Sequence, residues 1–206
     1  GAVAELVEGL LDVPVLAALP VYLLRQDALY KRPGNPYGDG AGHAFADNHR
    51  RFALLGMAAA RIAQGTAGAW QAQVLHGHDW HAGLAPAYLA NVAQAAHVAP
   101  ATPRRAACVH TIHNLAFQGL FTRTHFAELG LPASAWGVQG VEFHGQLSFM
   151  KAALHYADRI TTVSPTYARE IQGHELGCGL DGLLRERSSA VSGILNGVDD
   201  AVWDPA

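Results

Sequence analysis

The sequence predicts an α/β chain built on a Rossmann-like, doubly wound parallel sheet, and three observations predict it. Short apolar runs of strand length alternate with helix-like runs along most of the 206 residues, the pattern of strand–helix–strand units. The run Ala106 to Ile112 is apolar almost throughout, broken mainly by His110, as expected of a strand in a sheet covered on both faces. Two runs, in Val74-Leu-His-Gly-His-Asp-Trp-His81 and Val109-His-Thr-Ile-His-Asn114, stop abruptly in polar side chains before a helix-like segment begins. Ligands of open α/β sheets bind outside the carboxyl ends of the strands, so Asp79, His81, His113 and Asn114 fall where a site would be built.

Each element follows in order. Val21 to Leu24 reads as a short buried strand. Tyr30-Lys-Arg-Pro-Gly-Asn-Pro-Tyr-Gly-Asp-Gly40 carries prolines and glycines that make it a long loop, and long ordered loops are often functional. Asp47 can cap a helix through about Gly65, with Phe52, Leu55, Ala59 and Ile62 on one face. The strand Val74 to His76 precedes a helix from Trp80 to Val98, in which Pro86 should cause a kink or a restart. After the strand Ala106 to Ile112, the stretch Leu115 to Gly145 is irregular and rich in Gly, Phe and Trp, and reads as surface excursions. Leu147 to Ala157 is helical, Arg159 to Val163 a strand, and Ser164-Pro165 supplies an N-cap and a first-turn proline for a helix through Ile171. A short helix from Leu180 to Arg187 precedes a last strand, Ala190 to Leu195, that ends in Asn196-Gly-Val-Asp199.

Composition narrows the function classes. Half of the residues are hydrophobic, enough for a sizeable core, while a net charge of −3 with 15% charged residues gives no electrostatic grip on nucleic acid or an anionic membrane. Two cysteines, Cys108 and Cys178, without CxxC spacing, point to a reducing, cytoplasmic setting rather than a disulfide framework. The amino terminus has no basic region and no apolar run of membrane-spanning length. The chain begins with Gly rather than Met and stops in Val202-Trp-Asp-Pro-Ala206, so both ends read as cut.

Other chemistries fare worse than the strand-end site. His78-x-x-His81, with His76 nearby, lacks a third ligand at fixed spacing and reads as a strand end, not a metal site. Gly38-x-Gly-x-Gly42 follows no strand and lacks the P-loop lysine, so it reads as a turn. No Gly-x-Ser-x-Gly elbow occurs. The loop aromatics Tyr30, Tyr37, Phe117, Phe121, Trp136 and Phe143 are either packing anchors or platforms for pyranose rings, with Asp, Asn and His close in sequence to hold hydroxyls.

These residues resemble the bacterial glycogen synthases and plant starch synthases, retaining glucosyltransferases of the GT-B fold. The matching segments are Tyr30-Lys-Arg-Pro-Gly-Asn-Pro-Tyr37, Asp47-Asn48 with Arg51-Phe-Ala-Leu-Leu-Gly56, and His78-Asp-Trp-His-Ala-Gly-Leu-Ala-Pro-Ala-Tyr-Leu89. They continue through Thr111-Ile-His-Asn-Leu-Ala-Phe-Gln-Gly-Leu-Phe121, Gly140-Val-Glu-Phe-His-Gly-Gln-Leu-Ser-Phe-Met-Lys151, Tyr156-Ala-Asp158, Thr162-Val-Ser-Pro-Thr-Tyr-Ala-Arg-Glu170 and Leu195-Asn-Gly-Val-Asp199. The resemblance implies transfer of glucose from ADP-glucose to the non-reducing end of an α-1,4-glucan, without metal or cofactor. It implies that His113 and Asn114 contact the donor glucose, with the His113 carbonyl near the anomeric centre. Asp79, Tyr37 and Asn196 match further positions lining the pocket, and Asp79 and His113 are the catalytic candidates. A cytoplasmic location is implied for a bacterial chain and a plastid for a plant one.

The departures set further expectations. The family's opening strand and its Lys-x-Gly-Gly-Leu loop have no counterpart here, nor does the carboxy-terminal nucleotide-binding domain. Residues 1–206 therefore read as a partial amino-terminal, acceptor-side domain, inactive alone. With strand order 3-2-1-4-5, loss of the first strand should leave Ala106 to Ile112 and Ile160 to Val163 unpaired, and the chain loose and prone to associate. The alternatives are another GT-B glucosyltransferase, sucrose synthase-like or trehalose-phosphate-forming, and a non-catalytic glucan-binding module.

Overall fold

The computed structural model describes residues 4–13, 16–65, 70–95 and 105–204. The chain opens with an antiparallel hairpin, β1 (Glu5–Val13) and β2 (Leu16–Arg25), followed by one turn of helix, α1 (Asp27–Tyr30). Val21 to Leu24 is thus the end of a longer hairpin strand, and Leu23 is exposed rather than buried. This hairpin forms a sheet of its own.

Helix α2 (Asn48–Ala63) comes next. Asp47 stands at its N-cap, but its carboxylate makes no capping bond; Arg32 takes both oxygens, Nη1 to Oδ1 at 2.8 Å and Nη2 to Oδ2 at 2.5 Å. That pair holds the Asp47 carboxyl below its ordinary range. The buried face carries Phe52, Ala53, Gly56, Ala60 and Ala63, so Leu55, Ala59 and Ile62 do not share it. The rotation has a steric cause. A Cβ at Gly56 would lie 2.9 Å from the Ala85 backbone nitrogen, so this stripe of small residues lets a second helix approach closely.

Strand β3 (Val74–His78) passes through one 3₁₀ turn, Trp80–Ala82, into α3 (Ala85–Ala95). Pro86 therefore sits in the first turn of a restarted helix, where its missing N–H costs nothing. The predicted helix end at Val98 lies outside the described residues. Strand β4 (Ala107–Ile112) follows. The irregular stretch then forms β5 (Leu120–Thr122), a 3₁₀ helix over Arg123–Glu128, another over Ala133–Ala135, and β6 (Glu142–Phe143), which join β7 (Gln146–Ser148) in a small antiparallel sheet. It is more than surface excursion: Leu115, Leu129, Ala135 and Val141 are buried. The Tyr88 hydroxyl donates to the Leu129 carbonyl at 2.6 Å, and the Lys151 ammonium donates to the carbonyls of Val138 and Glu142, which pins the stretch to the helices.

Helix α4 (Phe149–Tyr156) starts at Ser148, whose hydroxyl caps the Lys151 N–H, so Leu147 belongs to β7 rather than to the helix. Strand β8 (Arg159–Thr162), α5 (Pro165–Glu170) with its Ser164 cap, α6 (Asp181–Glu186) and β9 (Val191–Gly193) complete the chain. Arg187 donates to the carbonyls of Leu154, His155 and Ala157, satisfying the end of α4.

The main sheet has four parallel strands in the order β3-β4-β8-β9. This overturns the expectation of unpaired central strands: β4 and β8 hydrogen-bond each other from Val109↔Arg159 to Ile112↔Thr162. Among the described residues the edge strands are β3 and β9. The expectation of cover on both faces also fails among the described residues. Cys108, His110, Ile112 and Ile160 are buried on the face where α3, α4 and α6 pack, whereas Ala107 and His76 on the other face are exposed. Right-handed crossovers that always step in the same direction leave their helices on one side, and here every step runs from β3 toward β9. Among the described residues no helix is long and apolar enough to cross a membrane.

Candidate functional site

All four parallel strands present their carboxyl ends along one edge of the sheet, and β3 and β4 supply its most constrained point. Asp79, directly after β3, has φ 52° and ψ −176°, a region that a residue with a Cβ rarely occupies. Three bonds hold it there. Its N–H donates to the Thr111 carbonyl at 2.9 Å, and its Oδ1 accepts the N–H of His113 at 2.8 Å and that of Asn114 at 3.4 Å. The carboxylate therefore bridges the end of one strand to the turn after the next, and fixes the backbone of His113 and Asn114.

The side chains continue the construction. His113 Nε2 lies 3.0 Å from His78 Nδ1, and the His78 ring is tilted against His76 with centroids 4.3 Å apart. Burial, followed by the neighbouring His76 and His113, lowers the His78 pKa, which favours neutral imidazole. Asn114 turns its carbonyl oxygen back to accept the Ala116 N–H at 3.0 Å. Behind them His76 Nε2, Thr111 Oγ1 and Thr161 Oγ1 form a chain across three strands at 2.7 and 2.6 Å. On the covered face His110 is fully buried with neither ring nitrogen hydrogen-bonded among the described residues; burial pushes its pKa down to about 3.

Tyr37 reaches the same edge from the loop before α2. Its ring centroid is 5.1 Å from that of His81, which packs in turn against Trp80 at 4.2 Å and Phe52 at 5.0 Å. Buried Arg51 braces the loop, its Nε on the Leu29 carbonyl at 2.9 Å and Nη1 on that of Pro36 at 2.7 Å. Asn48 Nδ2 donates to the Tyr37 carbonyl at 2.8 Å. The structure thus brings Asp79, His113 and Asn114 into direct contact and sets Tyr37 beside His81. It does not join Asn196 to them: Asn196 is exposed, three residues beyond β9, two strands away from β4.

Sequence reasoning missed His78 as the partner of His113, and Arg51 and Asn48 as the braces of Tyr37. His78 and His81 do not act as a pair, since one meets His113 and the other Tyr37. Most of the loop aromatics are packing anchors. Phe121 lies 4.9 Å from Phe149, Trp136 lies 5.2 Å from Phe126, and the Tyr30 hydroxyl donates to the Arg51 carbonyl, whereas Tyr37 and Phe117 stay exposed. A cavity of about 640 Å³ between β6, α4 and α6, lined by Glu142, Lys151, His155 and Arg187 among others, contains none of the five predicted residues. The strand-end site is an open edge.

Residues 4–186 match the family model described as the starch synthase catalytic domain. A glycogen synthase of Variovorax paradoxus (strain S110) is 57% identical over 192 residues, 92% of this chain and 38% of that protein. One from Francisella philomiragia is 52% identical over 187 residues, 91% of this chain and 38% of that protein. A solved structure titled as the catalytic domain of Starch Synthase IV from Arabidopsis thaliana, bound to ADP and acarbose, superposes with a TM-score of 0.71 at 27% identity, covering 91% of this chain and 37% of that one. The chain spans less than two fifths of the length of these relatives. With three quarters or more of its length matched in every comparison, it belongs to the starch synthase catalytic domain family of glycosyltransferases.

Proposed function

We propose that this chain is the acceptor-side, amino-terminal part of a glycogen or starch synthase. The whole enzyme transfers glucose from ADP-glucose to the non-reducing end of an α-1,4-glucan with retention of configuration. The single observation that carries this reading is the Asp79 carboxylate bridging β3 to the His113–Asn114 turn, in a chain 57% identical to a glycogen synthase. The ADP and acarbose held by the solved relative support an ADP-linked donor and a glucan acceptor.

In this reading the sheet is the Rossmann-like half of a GT-B fold, and its second winding and the facing nucleotide-binding domain belong to the rest of the enzyme. Asp79 orients rather than attacks, because its Oδ1 is already engaged by two backbone N–H groups. Front-face retention needs no carboxylate on the far side of the sugar. His113 and Asn114 bind the donor glucose and Tyr37 and Asn196 line the pocket. The contact between His78 Nδ1 and His113 Nε2 keeps the His113 ring in one orientation. Positioning and electrostatic effects of this kind are worth several kcal/mol. The 206-residue chain alone, with one wall of the cleft, transfers no glucose.

The test uses a full-length synthase carrying this segment. His113→Ala lowers kcat by at least about 10²-fold, roughly 2.7 kcal/mol, while Asp79→Asn retains measurable transfer. A loss confined to KM would reduce His113 to uniform binding, and a glucosyl ester trapped on Asp79 would overturn the orienting role.

A further inference from the structure

Away from the strand-end site, three side chains converge where α2 meets the 3₁₀ helix Arg123–Glu128. A 3₁₀ helix has three residues per turn, so residues i and i+3 eclipse, and His125 and Glu128 stand one above the other with Nδ1 3.0 Å from Oε1. His49, in the first turn of α2, has a side chain only 4% exposed and approaches from the other side, its Nε2 3.1 Å from Glu128 Oε2. The two imidazole rings stack with centroids 3.7 Å apart. One ligand atom from each of the three residues lies within 4.8 Å of the others, and among the described residues this is the group that does so.

We propose that His49, His125 and Glu128 bind a zinc ion that clamps the start of α2 to the turn after β5. The donor set is two imidazoles and a carboxylate, which zinc takes tetrahedrally with its fourth position left to water. Zinc bonds of about 2.0–2.2 Å put neighbouring ligand atoms roughly 3.3–3.5 Å apart, so His125 Nδ1 moves slightly outward from its 3.0 Å contact with Glu128 Oε1, and His49 Nε2, now 3.1 Å from Oε2, swings toward Oε1. Both histidines bind as neutral rings, the ring proton moving to His49 Nδ1 and His125 Nε2. His49 Nδ1 is buried without a hydrogen-bond partner among the described residues whichever nitrogen carries the proton, so the ion adds no new penalty there. Arg50 Nε, 2.5 Å from Glu128 Oε2, holds that oxygen and leaves Oε1 to the metal, the outer support that metal carboxylates commonly have. The strand-end histidines are a poor competitor, because the nearby Asp79 Oδ1 is taken by backbone N–H groups.

Zinc chloride titrated into the full 206-residue chain, followed by calorimetry and by the thermal midpoint, should show one ion per chain and a midpoint that rises with free zinc. His125→Gln and Glu128→Gln, both at accessible positions, should weaken binding more than about 100-fold, since even the outer partners of metal ligands are worth about 10–100-fold. His49→Gln should do the same, with its circular dichroism spectrum checked because the residue is buried. His78→Gln should leave zinc affinity unchanged. Absence of saturable zinc binding, affinity unmoved by His125→Gln and Glu128→Gln, or its loss in His78→Gln would each overturn the assignment.

Discussion

The two faces of the parallel sheet are made from alternate residues of the same strands, yet they are chemically opposite. On the packed face Cys108, Ile112 and Ile160 lie at 1% exposure or less beneath α3, α4 and α6. On the other, His76, Thr111 and Thr161 form a hydrogen-bonded chain. His78, on the same face as His76, continues that polar side to His113 at the carboxyl edge. The packed face supplies the burial that holds the strands in register, and the polar face leads into the candidate site. The difference shows that a site of this kind is extended from one face of its scaffold, while the opposite face bears the cost of folding.

The sharpest way to break that contrast is to truncate one β-branched aliphatic side chain to alanine on each face. Ile160→Ala should cost about 2–5 kcal/mol in urea-midpoint measurements, as expected for a fully buried aliphatic residue. Val74→Ala, at a position 54% exposed on the open side of β3, should stay within about 0.5 kcal/mol. Equal losses would mean that the open face is covered. The next effect is acid sensitivity centred on His110. Its folded pKa lies near 3, against an ordinary 6.5. Below pH 6.5 the unfolded chain takes up a proton that the folded chain refuses, so stability falls by up to about 1.4 kcal/mol per pH unit until pH nears 3. His110→Leu should flatten that limb of the stability–pH curve; an unchanged limb would place the acid sensitivity elsewhere. The smallest effect belongs to the polar chain. Thr111→Val should cost about 0.5–1.5 kcal/mol, because partly exposed partners can turn to water. A loss above about 3 kcal/mol would show that face to be sealed.

Much of this was legible in the sequence. The alternation of strand and helix, the polar stops after the runs that begin at Val74 and Val109, the Ser164-Pro165 helix start and the restart at Pro86 depend on neighbours a few residues apart and stand as expected, although the first strand runs to His78 rather than ending at His76. Of the four residues placed at the strand ends, Asp79 meets His113 and Asn114, since adjacent parallel strands must bring their ends together, whereas His81 packs beside Tyr37. The buried face of α2 was not legible, because periodicity by hydrophobicity favours Leu55 and Ile62, whereas the helix turns its small residues inward to admit α3. Nor was Asp47: its capping position is local, but its partner Arg32 arrives from another loop.

By itself the sequence determined the strands and helices of the parallel sheet, their order, the family and the strand ends at which the candidate residues stand, because these follow from periodicity, caps and contiguous motifs. Only the tertiary structure decided that β4 and β8 pair directly, that the helices cover one face, that His78 rather than His81 meets His113, and that His49 meets Glu128 across 79 residues. The physical reason is that such contacts depend on which way successive crossovers step and on which small residues allow close approach. Both are properties of the whole packed chain.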